Sequence, residues 1–454
     1  MSLRDVWTTA RRAVDLARRA GADEAEAYVE NVRALSVRVN MGTVETVKHS
    51  TLHGLGLRVI VDRKVGFVST NDLRDETVAD LARRAVALGR HATADPANGL
   101  LNEAPPVPGD DLLGIDDPAI AELGAQWHIE RALAMERIAL DLDPRIQRTD
   151  GCSASSRRGD FVLVNSHGVE RSGSGTSISA YVVPLAADAG GKQRSGGYGM
   201  SKRRLADLAA PESIAREAVK RAVDMIGARP VDAARVPVVM HPDIASAWLS
   251  DIFDAFSGEA VIKKESWLTD KLGERIASPL VTLVDDGTMP HGLGTESCDD
   301  EGVPCRRNVL VERGVCAMYA YDIYNANRAG LPPTGNANRG YSSLPGIGYR
   351  NLYLEPGTST LEEILRSVER GFYMTDQGAF GYNEVTGDYS YQAAGFWIEK
   401  GHIAFPVDGI TVASTSPEML KNVVMVGNDL CFDDTASSPT IKVAEMTLGG
   451  KADG

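Results

Sequence analysis

The chain has 454 residues, 43% of them hydrophobic and 24% charged, with a formal net charge of −14. That is the composition of a folded globular protein, and the length exceeds the roughly 250–300 residues at which a single core stops growing, so two domains are predicted. The acidic balance excludes a phosphate backbone as direct partner, because binding one needs clustered Lys and Arg. No apolar run reaches the ~20 residues of a membrane span. The opening Met-Ser-Leu-Arg-Asp-Val-Trp carries no export signal, so a cytoplasmic protein is expected.

Val6, Ala10, Val14 and Ala17 recur at helical spacing and predict a helix over 5–19. Period-two alternation of Val37, Val39 and Met41 against Arg38 and Asn40 predicts a strand over 35–47. The β-rich runs 56–61 and 65–69, joined by Asp62-Arg63-Lys64, predict a hairpin. Helices follow at 75–91 and 128–142, separated by a Pro-, Gly- and Asp-rich loop over 95–117 that is long enough to wrap the surface or meet a partner. Strands at 161–164 and 177–183 lead to a helix over 211–227. Arg229-Pro230-Val231 then reads as a boundary before a strand at 236–240, dividing the chain into domains 1–230 and 231–454. In the second domain, helices are predicted at 242–257, 360–371 and 417–424. Two hairpins, 308–319 and 395–406, each turn on Glu, a cation and Gly. The absence of regular βαβ alternation predicts an α+β fold: two domains with mixed, mainly antiparallel sheets flanked by helices.

Metal-assisted hydrolysis needs two imidazoles on one helix face and a Glu beside them. None of the eight histidines lies in an H-E-x-x-H motif or a close variant. His241 with Asp243 is the nearest cluster, and its place at a strand-to-helix junction suits helix capping. The segment 296–305 gathers carboxylates with Cys298 and Cys305, yet reads more simply as an acidic loop. Asp285-Asp286-Gly287 reads as a turn. The five cysteines are scattered, without C-x-x-C spacing, and are expected to be reduced. There is no G-x-S-x-G elbow, and the glycine-rich stretches 172–176 and 190–199 lack Walker spacing. The segment 378–390 combines turn residues, hydroxyls and aromatics, which fits peptide contacts, a protein interface or a simple β-turn equally well.

Several motifs in order resemble the TldD/PmbA family, also called the modulator of DNA gyrase family. They are Ser266-Trp-Leu-Thr-Asp-Lys-Leu-Gly, Asp299-Asp-Glu-Gly-Val-Pro, Asn351-Leu-Tyr-Leu-Glu-Pro-Gly, Asn383-Glu-Val-Thr-Gly-Asp-Tyr-Ser, Gly395-Phe-Trp-Ile-Glu-Lys-Gly and Val426-Gly-Asn-Asp-Leu. A looser likeness over 24–28 and 54–59 extends the resemblance through the first half. The family divides into TldD-type subunits, with a His-Glu-x-x-x-His zinc helix and a later Cys ligand, and PmbA (TldE)-type subunits without them. This chain is similar to the second type: Leu249, Ser250 and Asp254 stand where His, Glu and the second His would be, and the Cys position falls near Ser437-Ser438, with Cys431 too early. The resemblance implies no catalytic residue and no metal in this chain, zinc in a TldD-like catalytic partner subunit, and a substrate that is an extended or unfolded peptide. Asn383, Thr386, Gly387, Asp388, Tyr389 and Ser390 are the expected wall for that peptide. Self-association is open. Two other readings compete: an autonomous metallopeptidase using Asp254, His241 and a Cys, and a non-enzymatic regulator that binds a basic protein.

Overall fold

A computed structural model describes residues 3–378 and 381–450. The first half is built on one seven-stranded antiparallel sheet. Its strands are β1 (Glu24–Asn40), β2 (Thr43–Val61), β3 (Lys64–Thr70), β4 (Ile146–Asn165), β5 (Glu170–Ala187), β6 (Gln193–Ser195) and β7 (Tyr198–Lys202). They run in the order β3-β2-β1-β4-β5-β6, with β7 added on β5. The strand predicted over 35–47 is in fact a hairpin. Met41 and Gly42, both at positive φ (49° and 74°), make the two-residue turn between β1 and β2. A second such turn, Asp62-Arg63 (50° and 62°), joins β2 to β3. The fragments 161–164 and 177–183 are pieces of β4 and β5, whose polar middles carry no hydrophobic signal.

Two helical layers cover this sheet at its two ends. Helices Leu3–Arg19 and Asp75–His91 bury Val14, Val78, Leu81 and Val86 against Val29, Leu57 and Val162. Helices Ala125–Leu142 and Pro211–Asp224 bury Met135, Ile214 and Val219 against Val37, Val39 and Ala180. β1 and β4 run through both cores, so the two cores share one backbone framework. The loop over 95–117 holds the short helix Asp110–Leu113 and leads into Pro118–Ala121, which Asp117 caps by accepting the Ala119 N–H.

The chain enters the second half at β8 (Ala234–Met240). β8 lies inside a six-stranded sheet ordered 402–415, 388–399, 370–377, 234–240, 441–449, 423–426. A five-stranded sheet (315–316, 307–312, 283–286, 352–354, 436–437) faces the same large core, which includes Trp248, Phe253, Phe256, Leu310, Phe372 and Trp397. Mixed and antiparallel pairing flanked by helices is the predicted α+β class. Three predicted helices of this half are shorter than expected. The first is Pro242–Phe253 followed by a 3-10 turn; Leu361–Arg366 and Ser416–Lys421 give way to strands starting at Arg370 and Val423. Tertiary pairing of the β-branched and aromatic residues decides those ends over local propensity.

A buried ion cluster joins the halves. Arg58 of β2 lies 2.9 Å from Glu26 of β1 and 2.8 Å from Glu301, while Arg339 reaches Glu26 at 2.7 Å. Beside them the Tyr28 hydroxyl donates to Asp300 (2.9 Å), and the Arg339 guanidinium lies over the Tyr28 ring. Burial works against the Arg58 charge, but Glu26 and Glu301 outweigh it and hold its pKa above the ordinary value. Removing one member of such a cluster strands a buried charge. Arg58→Ala is therefore expected to cost about 3–5 kcal/mol of unfolding free energy, measured by urea denaturation, whereas the exposed pair Arg216–Glu212 should contribute under about 1 kcal/mol.

Candidate functional site

The helix Pro242–Phe253 opens as the sequence suggests. His241 is its N-cap, and its Nδ1 accepts the Asp243 N–H at 3.2 Å, while Asp243 pairs with Arg221 at 2.7 Å. The helix buries Ile244, Ala245, Trp248, Leu249, Ile252 and Phe253, the i, i+4, i+8 stripe of a core-facing helix. Leu249 is therefore a core side chain, 2% exposed. Ser250 lies a step around the helix, its hydroxyl donating to the Ser246 carbonyl and 3.1 Å from the Tyr349 hydroxyl. Asp254 starts the 3-10 turn beyond the helix. His241 and Asp254 thus sit at opposite ends of the helix, roughly 20 Å apart at 1.5 Å per residue, too far to meet on one ion. The region near Ser437-Ser438 does come to this helix: both serines are buried, and the Ser438 N–H donates to Ser246 Oγ at 2.8 Å. Cys431 is exposed, and the other four cysteines are buried as free thiols.

The turn 383–388 is tied together by its own polar atoms. Asn383 Oδ1 accepts the N–H groups of Val385 (3.0 Å) and Thr386 (3.1 Å), and the Thr386 hydroxyl donates to Asp388 at 2.6 Å. Gly387 takes φ 76° and its carbonyl accepts the Ser416 N–H. Tyr389 is buried, ring-packed on Tyr391 and bonded to Gln377, while Ser390, Glu384 and Val385 are exposed. Residues 379 and 380 of the segment singled out in the sequence lie outside the described residues.

This turn and the end of the helix meet. The Tyr391 hydroxyl donates to Asp251 at 2.8 Å. Partial desolvation raises the Asp251 and Asp254 carboxyls above their ordinary values, and the nearby Glu384 carboxylate raises both further. Asp254, open to solvent on one side, also lines a cleft of about 700 Å³ between the two halves, with Phe253, Tyr349, Arg203, Arg157, Asp300 and Arg350 among its walls. Arg203 is fixed there by donating to the carbonyls of Gly292, Leu293, Thr295 and Thr176. Among the described residues, no three or more His, Cys, Asp or Glu side chains are grouped so as to hold a metal ion. An aliphatic core side chain at 249 and a hydroxyl bonded within its own helix at 250 offer zinc no imidazole, thiolate or carboxylate.

The acidic segment 296–305 proves to be a structural clamp. Asp299 accepts the backbone N–H groups of Glu301, Val303 and Ala337; Asp300 takes those of Arg339 and the Tyr28 hydroxyl; Glu301 takes that of Ile323 and pairs with Arg58. The only trace of this in the sequence is a charge inside each apolar strand run, Glu26 in Ala25-Glu-Ala-Tyr-Val and Arg58 in Leu55-Gly-Leu-Arg-Val-Ile.

Comparison with known proteins fits this geometry. The PmbA/TldA metallopeptidase domain 1 matches residues 25–89, the central domain of that family 118–226 and its C-terminal domain 233–450. A metalloprotease PmbA homolog of Haemophilus influenzae is 30% identical over 446 residues, covering 96% of this chain and 94% of the relative. The chain belongs to the PmbA/TldD metallopeptidase family. A metalloprotease TldD homolog of the same organism is 32% identical over 253 residues, 52% of each chain. The crystal structure of TldE from Thermococcus kodakarensis superposes with a TM-score of 0.89 at 24% identity, covering 97% of this chain and 99% of that one. The first two PmbA/TldA domains correspond to the two helix-covered cores, which in this chain share the single sheet of β1–β7. No helix among the described residues is long and apolar enough to cross a membrane.

Two expectations follow. Gly387→Ala forces a β-carbon into the left-handed region with Pro417 Cδ only 2.9 Å away, and should lower stability by about 1–2 kcal/mol in thermal or urea melts. Because the folded-state pKa values of Asp251 and Asp254 are raised, the folded chain holds more protons than the unfolded one. Their contribution is therefore present at low pH and lost as pH rises from the ordinary carboxylate value through the raised one. Glu384→Gln should move both aspartates back toward the ordinary value in a carbon-13 carboxyl titration and flatten that part of the stability profile.

Proposed function

We propose that this chain is the PmbA (TldE)-type subunit of a heteromeric zinc metallopeptidase, silent by itself and completing the peptide chamber of a TldD-like catalytic partner. The observation that carries the reading is the helix Pro242–Phe253. At the positions of the family's metal ligands and base it offers Leu249 packed in the core, Ser250 bonded within its own helix, and Asp254 at the opposite end of the helix from His241. The zinc belongs to the partner, and this chain carries no cofactor of its own. The substrate is an extended or unfolded peptide, processed during peptide maturation or protein turnover in the cytoplasm.

In this reading the cleft ending at Asp254 is the part of the chamber this subunit supplies. Its walls present carboxylates and guanidiniums together with the Tyr349 ring, groups that bond a peptide main chain without demanding one side-chain sequence. The turn bonded through Asn383, Thr386 and Asp388 exposes these three with Glu384, Val385 and Ser390 as the wall that meets the peptide, and the buried Gly387 and Tyr389 anchor it.

The test uses the purified full chain with and without a TldD-like subunit that has an intact zinc helix. The chain alone should hold substoichiometric zinc by plasma mass spectrometry and leave an unstructured peptide library uncut. The mixture should cut it and lose the activity with chelator. Tight stoichiometric zinc in the isolated chain, or chelator-sensitive cleavage by it, would overturn the proposal. Leu249→His should bring no zinc and cost about 1–3 kcal/mol, because it buries an imidazole without a partner.

A further inference from the structure

Where the two helical layers of the first sheet part, a cavity of about 420 Å³ opens, with Asn31, Leu35, Ser156 and Arg158 of β1 and β4 in its floor. That volume lies in the range of small-molecule sites. Ser156 is half-buried and stands opposite Leu35 of β1 and Ile178 of β5. Strand alternation puts it on the helix-covered face, away from the Tyr28 and Phe161 face that lines the cleft. The Ser156 hydroxyl is 3.0 Å from Nε2 of His128, a side chain wholly excluded from solvent near the start of the helix Ala125–Leu142. The other ring nitrogen, Nδ1, is 2.9 Å from the Gly124 carbonyl. A carbonyl only accepts, so Nδ1 carries the hydrogen. Burial disfavours the imidazolium and, with the neighbouring His49, outweighs the Gly124 bond, holding the His128 pKa below the ordinary value. Nε2 of the neutral ring is bare, and the Ser156 O–H donates to it. A hydroxyl satisfies many a buried histidine; this one also faces a cavity.

The rest of the lining divides by chemistry. Leu35, Ile120, Ala121 and Leu123 make an apolar wall. Arg158 is held by Asp116 at 3.1 Å, and Asp160, the one carboxylate of the lining, accepts from the Ser174 hydroxyl. Arg33 lies two positions from Leu35 on the same face, and its side chain makes no hydrogen bond or ion pair among the described residues. We propose that Ser156 is a nucleophile, His128 its general base and Arg33 its oxyanion donor, in a second site that hydrolyses small esters of short aliphatic acids. Ser156 Oγ bonds to the acyl carbon while its proton passes to Nε2. The tetrahedral adduct then breaks its bond to the alcohol oxygen, which takes that proton. Water, deprotonated by the same nitrogen, attacks the acyl-serine, releases the acid and leaves the proton on Oγ. No backbone N–H is free for the oxyanion, since β4 is paired on both edges at Ser156, so the unpaired guanidinium meets that charge. The apolar wall seats the acyl chain, and the volume limits its length.

The site needs neither zinc nor a partner, so its test leaves the reading of the cleft untouched. It uses the full chain alone, with EDTA present. A biotinylated fluorophosphonate, which modifies base-activated hydroxyls, should label Ser156, as located by tryptic mass spectrometry. Ser156→Ala should abolish the label and slow hydrolysis of 4-nitrophenyl acetate on the order of 100-fold, and His128→Gln should do the same. Arg33→Gln should lower kcat about tenfold or more at unchanged KM, because the charge it meets develops only in the transition state. 4-Nitrophenyl palmitate should be a poorer substrate than the acetate. Thermal melts report whether each variant is folded, and Ser156→Ala, which removes one half-buried oxygen, carries the test should His128→Gln fail to fold. An unlabelled Ser156, undiminished labelling in a folded His128→Gln chain, acetate hydrolysis unchanged by Ser156→Ala, full kcat in Arg33→Gln, or a preference for the palmitate would each overturn the proposal.

Discussion

The structure depends on how it buries charge between its halves. Glu26, Arg58, Glu301 and Arg339 are nearly or wholly excluded from solvent, and each is placed by a different stretch of chain: β1, β2, the 299–303 loop and the segment after Asn336. A charge taken from water is tolerable only with its partner at bonding distance. The first sheet therefore cannot slide or tilt against the second half without separating these groups. The carboxylates of Asp299 and Asp300 extend the constraint by collecting backbone N–H groups from two stretches, 301–303 and 337–339.

That constraint explains why a cleft persists between two bodies whose own cores are complete. The cores hold each body together, and the ion cluster sets the distance between them, with Tyr28 and Asp300 shared between the cluster and the cleft wall. At one end of the cleft the helix Pro242–Phe253 delivers Asp254, and the strand after the 383–388 turn delivers Tyr391 to Asp251. Asp251, Asp254 and Glu384 leave this end acidic, and burial, with the neighbouring Glu384 carboxylate, holds the Asp251 and Asp254 carboxyls above their usual range. The inward face of that helix is spent on packing.

Periodicity found the elements whose hydrophobic pattern is local. The helix 75–91 was legible to the residue, because Val78, Leu81, Ala82, Ala85 and Val86 form an uninterrupted stripe with acidic residues at its start and basic ones at its end. β4 and β5 were legible only in part, since runs such as Ser-Ala-Ser-Ser-Arg-Arg and Ser-Gly-Ser-Gly-Thr have no apolar alternation. They are strands because neighbours on both sides satisfy their backbone. The break at Met41-Gly42 was missed because apolar alternation continues across it, and only the paired positive φ values of a hairpin turn separate the two strands. Of the site, His241 as a helix cap and the turn chemistry of 383–388 were readable, being bonds between near neighbours in the chain.

By itself the sequence determined the fold class and the family, because each is a matter of which side chains occur in which local order. Tertiary structure alone decided that 296–305 is a clamp rather than a cation loop. It also decided that Leu249 is core, and that Asp254 shares its cleft with Arg203 and Tyr349. The reason is that burial, charge pairing and strand neighbours are relations between residues far apart in the chain, up to 313 positions for Arg339 and Glu26, and no local pattern encodes them.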